Sequence, residues 1–357
     1  MERDKQNKAV SQKQDDLKNL EKKVSDEING IYENVLPTKK IPKDSDWPEE
    51  ARPNPYINKK FEEFNSHASV LKSFEGHPKA IGAVAIHSRK DIIATGGDDK
   101  TWKIWNMASG EQIMSAEGHK GWISSVDFHP SGTHLATGSS DNSIKFWDFE
   151  KQCCVLTMSE HTQQVMSVKF HDTGYFILSS SMDNSIKLFD LRTKKSKQVY
   201  RSHTDSVNKV AFQPFTNYFA SASSDKTVSI WDIRTGLTIQ TFYGHMNSVN
   251  DVMFNFKGDI LASCDGDGIV KLWDIINVKE VEQFDIGKAV INSITFDRNG
   301  RYIFAGQNDG CITQVNLENK EMAKLKSHKD SATGVVISHT NSELYSVSSD
   351  KDIKVWK

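Results

Sequence analysis

A histidine and an aromatic residue 28 positions apart recur through most of this chain, and the separation never varies. The pairs are His77/Trp105, His119/Trp147, His161/Phe189, His203/Trp231, His245/Trp273 and His328/Trp356. A weakened copy, Gly287 to Val315, keeps the same separation between the fifth pair and the last. Successive copies start 42 residues apart, and the final step is 41. A period of this size means one supersecondary unit used again and again, because a unit so small cannot bury its apolar face without a neighbour stacked on it. The stretch Ser202 to Asp232 shows the unit most completely. It holds two alternating apolar runs, a tight polar turn between them, and a Trp-Asp close.

Alternation at period two makes these runs strands. In the fourth copy Val207, Val210 and Phe212 belong to an inner strand, 218–222 to a second, 228–231 to a third and 239–242 to an outer fourth. Phe128, Phe170, Phe212, Phe254 and Phe296 share one position, expected as a packing layer between units. Small pairs such as Ala136-Thr137 and Ala220-Ser221 let adjoining sheets approach. A low-forties period with Gly-His and Trp-Asp marks resembles the WD40 repeat, which implies four-stranded blades arranged in a ring. The expected fold is all-β, a seven-bladed WD40 β-propeller over residues 67–357. It is preceded by a charged helical or weakly coiled-coil segment (1–35) and a Pro-rich linker (36–66). Residues 70–74 come before the first Gly-His, where later copies carry an outer strand, and the chain ends one residue after Trp356. These two ends are therefore expected to meet, 70–74 closing the last blade and removing an open sheet edge.

In the first segment Val10, Leu17, Val24 and Ile31 repeat at spacing seven. Two or three imperfect heptads are marginal alone, so a solvated helix and a docking or self-associating helix both stay open. Pro37, Pro42, Pro48, Pro53 and Pro55 rule out regular structure in the linker. Its Trp47, Tyr56, Phe61 and Phe64 are too aromatic for a purely solvated tether.

Four polar positions travel together: His203, Ser221, Asp225 and Trp231 in the fourth copy, and His119, Thr137, Asp141 and Trp147 in the second. Histidine, hydroxyl and carboxylate invite a hydrolase reading. An active site is needed once, however, and this set recurs five times with both the hydroxyl and the indole, which marks a structural network; the resemblance to WD40 proteins implies the same. In the fifth copy the spacing assigns the turn aspartate to Asp267. The third copy has Phe189 for tryptophan. The sixth keeps only Asp309, so blade six is expected to be the least rigid. His87, His129 and His171 recur after the inner strand, while His67, His134 and His339 look dispersed. No Cys/His spacing suits zinc and no phosphate-binding loop is present. The expectation is therefore no cofactor and no catalysis. A net charge of −2 and pI near 6.6 argue against nucleic acid as a partner. No run is long and apolar enough to span a bilayer, so no membrane partner is expected either. Cys153, Cys154, Cys264 and Cys311 read as reduced thiols.

In a repeat ring, binding belongs where the copies differ. Of the positions expected on the top rim, Trp122 and Met182 stand out on adjacent blades, with Gln164 beside them. Arg192, Lys194 and Lys195, extended by Lys197 and Arg201, form a basic cluster suited to an acidic protein tail such as those on tubulin.

Three stretches resemble one family: GHMNSVNDVMFNFKGDILASCDGDGIVKLWD (244–274), HTDSVNKVAFQPFTNYFASASSDKTVSIWDIRTG (203–236) and KDSDWPEEARPNPYINKKF (43–61). They are similar to the sperm-associated antigen 16 family of ciliary WD-repeat proteins. The resemblance implies a structural component of the axonemal central apparatus, needed for motility and bridging the central microtubules. Its expected partners are other central-apparatus proteins and tubulin, and its expected place is the cytoskeleton of the cilium or flagellum. The alternative is a regulatory WD40 adaptor, such as a ubiquitin-ligase substrate receptor or a signalling scaffold.

Overall fold

Apolar residues at every other position become buried strand faces, and the faces pair off between sheets. The computed structural model describes residues 53–55, 57, 59, 61–64 and 68–357, except 327 and 341. The expected N-terminal helix, most of the linker, Trp47, Tyr56 and His67 lie outside the described residues. Among those described, 28 strands form seven four-stranded antiparallel sheets. The fourth blade runs Val207–Phe212, Tyr218–Ser223, Val228–Asp232 and Thr238–Phe242, from the centre outward. Every inner strand slips register after its first residue, as at Val207/Lys209 and Val249/Asp251, a bulge that adds twist where the strands converge.

The ring closes through the chain ends. Val70–Glu75 lies antiparallel to Asp352–Trp356, with Phe74 opposite Ile353 and Glu75 opposite Asp352, and so becomes the outer strand of blade seven. Ser69 and Lys357 exchange both backbone hydrogen bonds, at 2.9 and 3.0 Å. This closing strand is mostly exposed; what it covers is the edge of the strand carrying Trp356, whose side chain is 2% exposed.

Between blades the core is continuous. Ala220, Ala222, Val228 and Ile230 of blade four pack on Val249, Val252, Phe254 and Leu261 of blade five. Of the recurring phenylalanines, Phe128, Phe170, Phe254 and Phe296 are buried; Phe212 is partly buried, packed between His171 and Phe219. The histidines after the inner strands turn out to bridge blades. His87 Nε2 donates to Gly132 O (3.2 Å), His129 Nε2 to Gly174 O (3.0 Å) and His171 Nε2 to Thr216 O (3.2 Å). The belt continues through Gln213 to Gly258 O (2.6 Å) and Arg298 to Ser338 O (2.9 Å), and His339 reaches His87 O. His339 is thus part of the belt and not dispersed. A second belt, at the opposite end of the inner strands, runs from Asn208 to Val249 O, Asn250 to Ile291 O and Asn292 to Ala332 O, at 2.8, 2.9 and 3.0 Å.

The end of the linker is bound to the ring. Phe64 is buried against Phe304 (centroids 4.8 Å apart, edge-on) in a cluster with Ile312, Leu325 and Trp356. Phe61 N–H donates to Asn299 Oδ1 (3.1 Å), and Asn299 Nδ2 donates back to Glu62 O (3.0 Å). Asn54 Nδ2 donates to Phe256 O (2.9 Å). The hydrogen bonds fall on blades five and six, and the Phe64 cluster extends to Trp356 of blade seven.

Candidate functional site

The repeated polar set forms one hydrogen-bond chain per blade. In blade four Trp231 Nε1–H donates to Ser221 Oγ (2.8 Å), the Ser221 hydroxyl donates to His203 Nε2 (2.7 Å), and His203 Nδ1–H donates to Asp225 Oδ2 (2.8 Å). In blade two the same chain runs Trp147, Thr137, His119, Asp141 at 2.9, 2.7 and 2.9 Å. The directions follow from the indole, which can only donate, and the carboxylate, which accepts. They match the polarity of a Ser-His-Asp catalytic relay. Access differs. Thr95, Thr137, Ser179, Ser221, Ser263 and Ser346 are all 0% exposed, so none of these hydroxyls can reach a substrate carbonyl, and five also accept an indole N–H.

The electrostatics fit a locked structural device. Burial by itself would raise the Asp141 carboxyl, but hydrogen bonds from Ser143, Lys120 N–H and His119 outweigh it and bring it from the ordinary 3.8 to about 2. Asp99, Asp183, Asp225, Asp265 and Asp350 are lowered in the same way. Burial lowers His77, His119 and His328, keeping each imidazole neutral with its proton on Nδ1. Both shifts have one sign. Their stabilisation is present above the unfolded-state values and is lost as acid protonates the carboxylates and histidines.

Blade five corrects the assignment made from spacing. His245 Nδ1 donates to Asp265 Oδ2 at 2.7 Å, whereas Asp267 is exposed and accepts from Asn247 Nδ2 at 2.9 Å. In blades one to four the turn aspartate is held by a hydroxyl two residues on, Thr101, Ser143, Ser185 or Thr227, at 2.5–2.7 Å. Blade five has Ile269 there, which cannot hold Asp267. Asp265 takes over from the end of the second strand and accepts from the backbone of Asp267 and Ile269 (3.0 Å each). In blade three Ser179 keeps its bond to His161 (2.8 Å), and Phe189 is fully buried where an indole stands in the other network blades. In blade six Thr313 donates to Gln307 (2.8 Å) in place of the lost set, and Gln314 is buried with both amide atoms unpaired among the described residues. An orphaned buried amide costs about 1–3 kcal/mol.

The two series of rim positions meet in pairs. Within each blade the residue before the turn aspartate position donates its N–H to the carbonyl of the third residue after the histidine position. Ser140 donates to Trp122 O and Met182 to Gln164 O, both at 3.0 Å, and the bond recurs in all seven blades. Trp122 is 38% exposed and Met182 37%, and Gln164 Nε2 touches Met182 Sδ. On blades four and five the rim is instead a hydroxyl–amide patch, with Ser206, Asn208, Ser224 and Ser248 joined at 2.9–3.2 Å. The sequence reading missed Tyr243 and Met246, 75% and 78% exposed on either side of Gly244-His245. Nothing in the repeat pattern separates an exposed apolar residue at a blade junction from a buried one.

The basic cluster lies on the outer hairpin of blade three. Arg192 pairs with Asp190 (2.9 Å) and stacks over Tyr175 and Phe176, and Lys197 lies over Phe176. Lys194, Lys195 and Arg201 are exposed. No group of His, Cys, Asp and Glu suited to a metal occurs among the described residues, and no helix there is long and apolar enough to cross a membrane.

Comparison with known proteins agrees with this architecture. The family described as IFT122 first beta-propeller matches residues 164–357, more than half of the chain, and the WD domain, G-beta repeat, matches residues 68–106 and 110–148. Over 64 residues the chain is 44% identical to the flagellar WD repeat-containing protein Pf20 of Chlamydomonas reinhardtii. That match covers 18% of this chain and 11% of the relative.

Proposed function

We propose, because this chain belongs to the WD-repeat β-propeller family described as IFT122 first beta-propeller, that it is a non-catalytic protein-interaction scaffold of the cilium or flagellum. The observation that carries the scaffold reading is the burial of every hydroxyl in the repeated His-Ser-Asp set, which leaves the variable rim as the place for binding. The flagellar part of the proposal is supported by the Pf20 identity and, more finely, by the resemblance to central-apparatus proteins. On this reading the ring joins central-apparatus proteins to one another and to microtubules, through the rim around Trp122, Gln164 and Met182. An indole and a thioether side by side are suited to anchoring a partner, since partly exposed aromatic residues supply large apolar area at little entropic cost.

The test is fractionation of flagellated cells expressing the full chain with a small tag. Demembranated axonemes are expected to retain most of the protein through a wash at about 0.5 M salt, and axonemes that lack a central pair are expected to lose it. Release of the protein with the detergent-soluble fraction would favour a regulatory adaptor and contradict the axonemal reading.

A further inference from the structure

Each blade ends in one outer strand on which no further strand pairs among the described residues, and one of the seven differs from the rest in charge. From Leu191 to Arg201, blade three has five cations (Arg192, Lys194, Lys195, Lys197 and Arg201) and no anion. The corresponding stretch of blade five, Ile275 to Asp285, has Lys279 against Glu280, Glu282 and Asp285. The cations of blade three lie on and beside its outer strand, Lys195–Tyr200, which among the described strands pairs with Ile186–Asp190 alone.

Local packing holds part of this charge in place. Arg192 and Lys197 lie 5.5 and 5.4 Å over the Phe176 ring, and Arg192 lies 5.0 Å over Tyr175, which is 53% exposed. Stacked cations lose less freedom when an anion arrives than solvated ones do. Lys194 stands at the hairpin tip in a left-handed conformation (φ +59°) with Lys195 following it, so two exposed lysines stand at the strand entrance. The molecule already places one carboxylate on this strand: Ser196 N–H donates to Glu160 Oε1 at 3.3 Å.

We infer that the outer strand of blade three is a docking edge for an extended acidic segment of a partner protein. That segment adds as a fifth strand and sets its carboxylates against Lys194, Lys195 and the stacked pair. Main-chain hydrogen bonds supply the register, and the cations select glutamate- or aspartate-rich sequence. The surface is distinct from the Trp122 rim, so a scaffold using both engages two partners at once. It does not depend on ciliary location, and its test can fail while axonemal retention holds.

The test uses the purified full chain and a fluorescein-labelled decaglutamate peptide, read by fluorescence anisotropy at 50 mM salt. Lys194→Glu/Lys195→Glu is expected to weaken binding at least tenfold, whereas Lys324→Glu/Lys326→Glu on the outer strand of blade six is expected to stay within twofold of wild type. The same peptide N-methylated at every residue is expected to bind at least tenfold more weakly, since neither of its edges can donate to the sheet. Undiminished binding by the blade-three variant overturns the site, and undiminished binding of the methylated peptide overturns strand addition. A polyuridine strand or an anionic lipid vesicle that outcompetes the peptide through the same lysines overturns the acidic-protein assignment.

Discussion

Removing residues 68–75 is expected to lower the melting temperature by about 10 °C or more, while removing residues 1–30 is expected to shift it by less than about 2 °C. The closing strand makes five register pairs with Asp352–Trp356 and adds the Ser69/Lys357 exchange. At about 1 kcal/mol net per hydrogen bond, their loss alone approaches the lower end of a domain's whole stability, roughly 5–15 kcal/mol. Phe74 leaves as well, and with it the tilted contact to Trp105 of blade one (5.5 Å). The exposed edge of the last strand would then offer a template for association, so the shortened protein is also expected to aggregate in a concentration-dependent way. Calorimetry of the two truncations side by side checks this, and equal melting temperatures would contradict closure by the chain ends.

Asp265→Ala is expected to destabilise the ring by about 3 kcal/mol or more, and Asp267→Ala by less than about 1 kcal/mol. Asp265 is 1% exposed and accepts three hydrogen bonds, from His245 and from the backbone of Asp267 and Ile269. Removing it leaves a buried imidazole N–H and two amides without acceptors, and the change passes along the chain to Ser263 and Trp273. The Asp267 carboxylate accepts from Asn247 at the surface. The Asp265 carboxyl is held below its ordinary range, so its contribution is present above that range and fades as pH falls. The gap between the two variants is therefore expected to narrow in acid. Urea unfolding of both at neutral pH and near pH 3, below the ordinary carboxylate value, measures it. The reverse order of stability would restore the assignment made from spacing.

That swap shows where the sequence is legible and where it is not. A repeat places like residues in like surroundings, so strands, closing edge and network could be read by laying copies over one another. Asp267 has the right spacing and the wrong neighbour. The usable signal was Ile269 standing where Thr101, Ser143, Ser185 and Thr227 stand in the first four blades, together with a second aspartate at 265. The blade-to-blade belt was visible only as recurrence of His87, His129 and His171. Their acceptors lie about one period further along, and only the closed ring brings them near. Phe64 was marked as too aromatic for a tether, but its seat on Phe304 could not be read, because the two are brought together only by the folded ring. Exposure was the least legible: repeat position marked Trp122 and Met182, but exposure at Tyr243 and Met246 depends on how neighbouring blades meet and not on the repeat.

The claim at the centre of this account is that the repeated His-Ser-Asp-Trp set holds the ring while the rim, where copies differ, binds. Binding of purified full chain to axonemes from cells that lack the endogenous protein tests it most directly, with wild type compared against Trp122→Ala/Met182→Ala. Both side chains are more than a third exposed, so the double variant is expected to keep the wild-type melting temperature within about 2 °C. Its axonemal binding is expected to fall at least tenfold. Wild-type binding by the double variant would contradict the account.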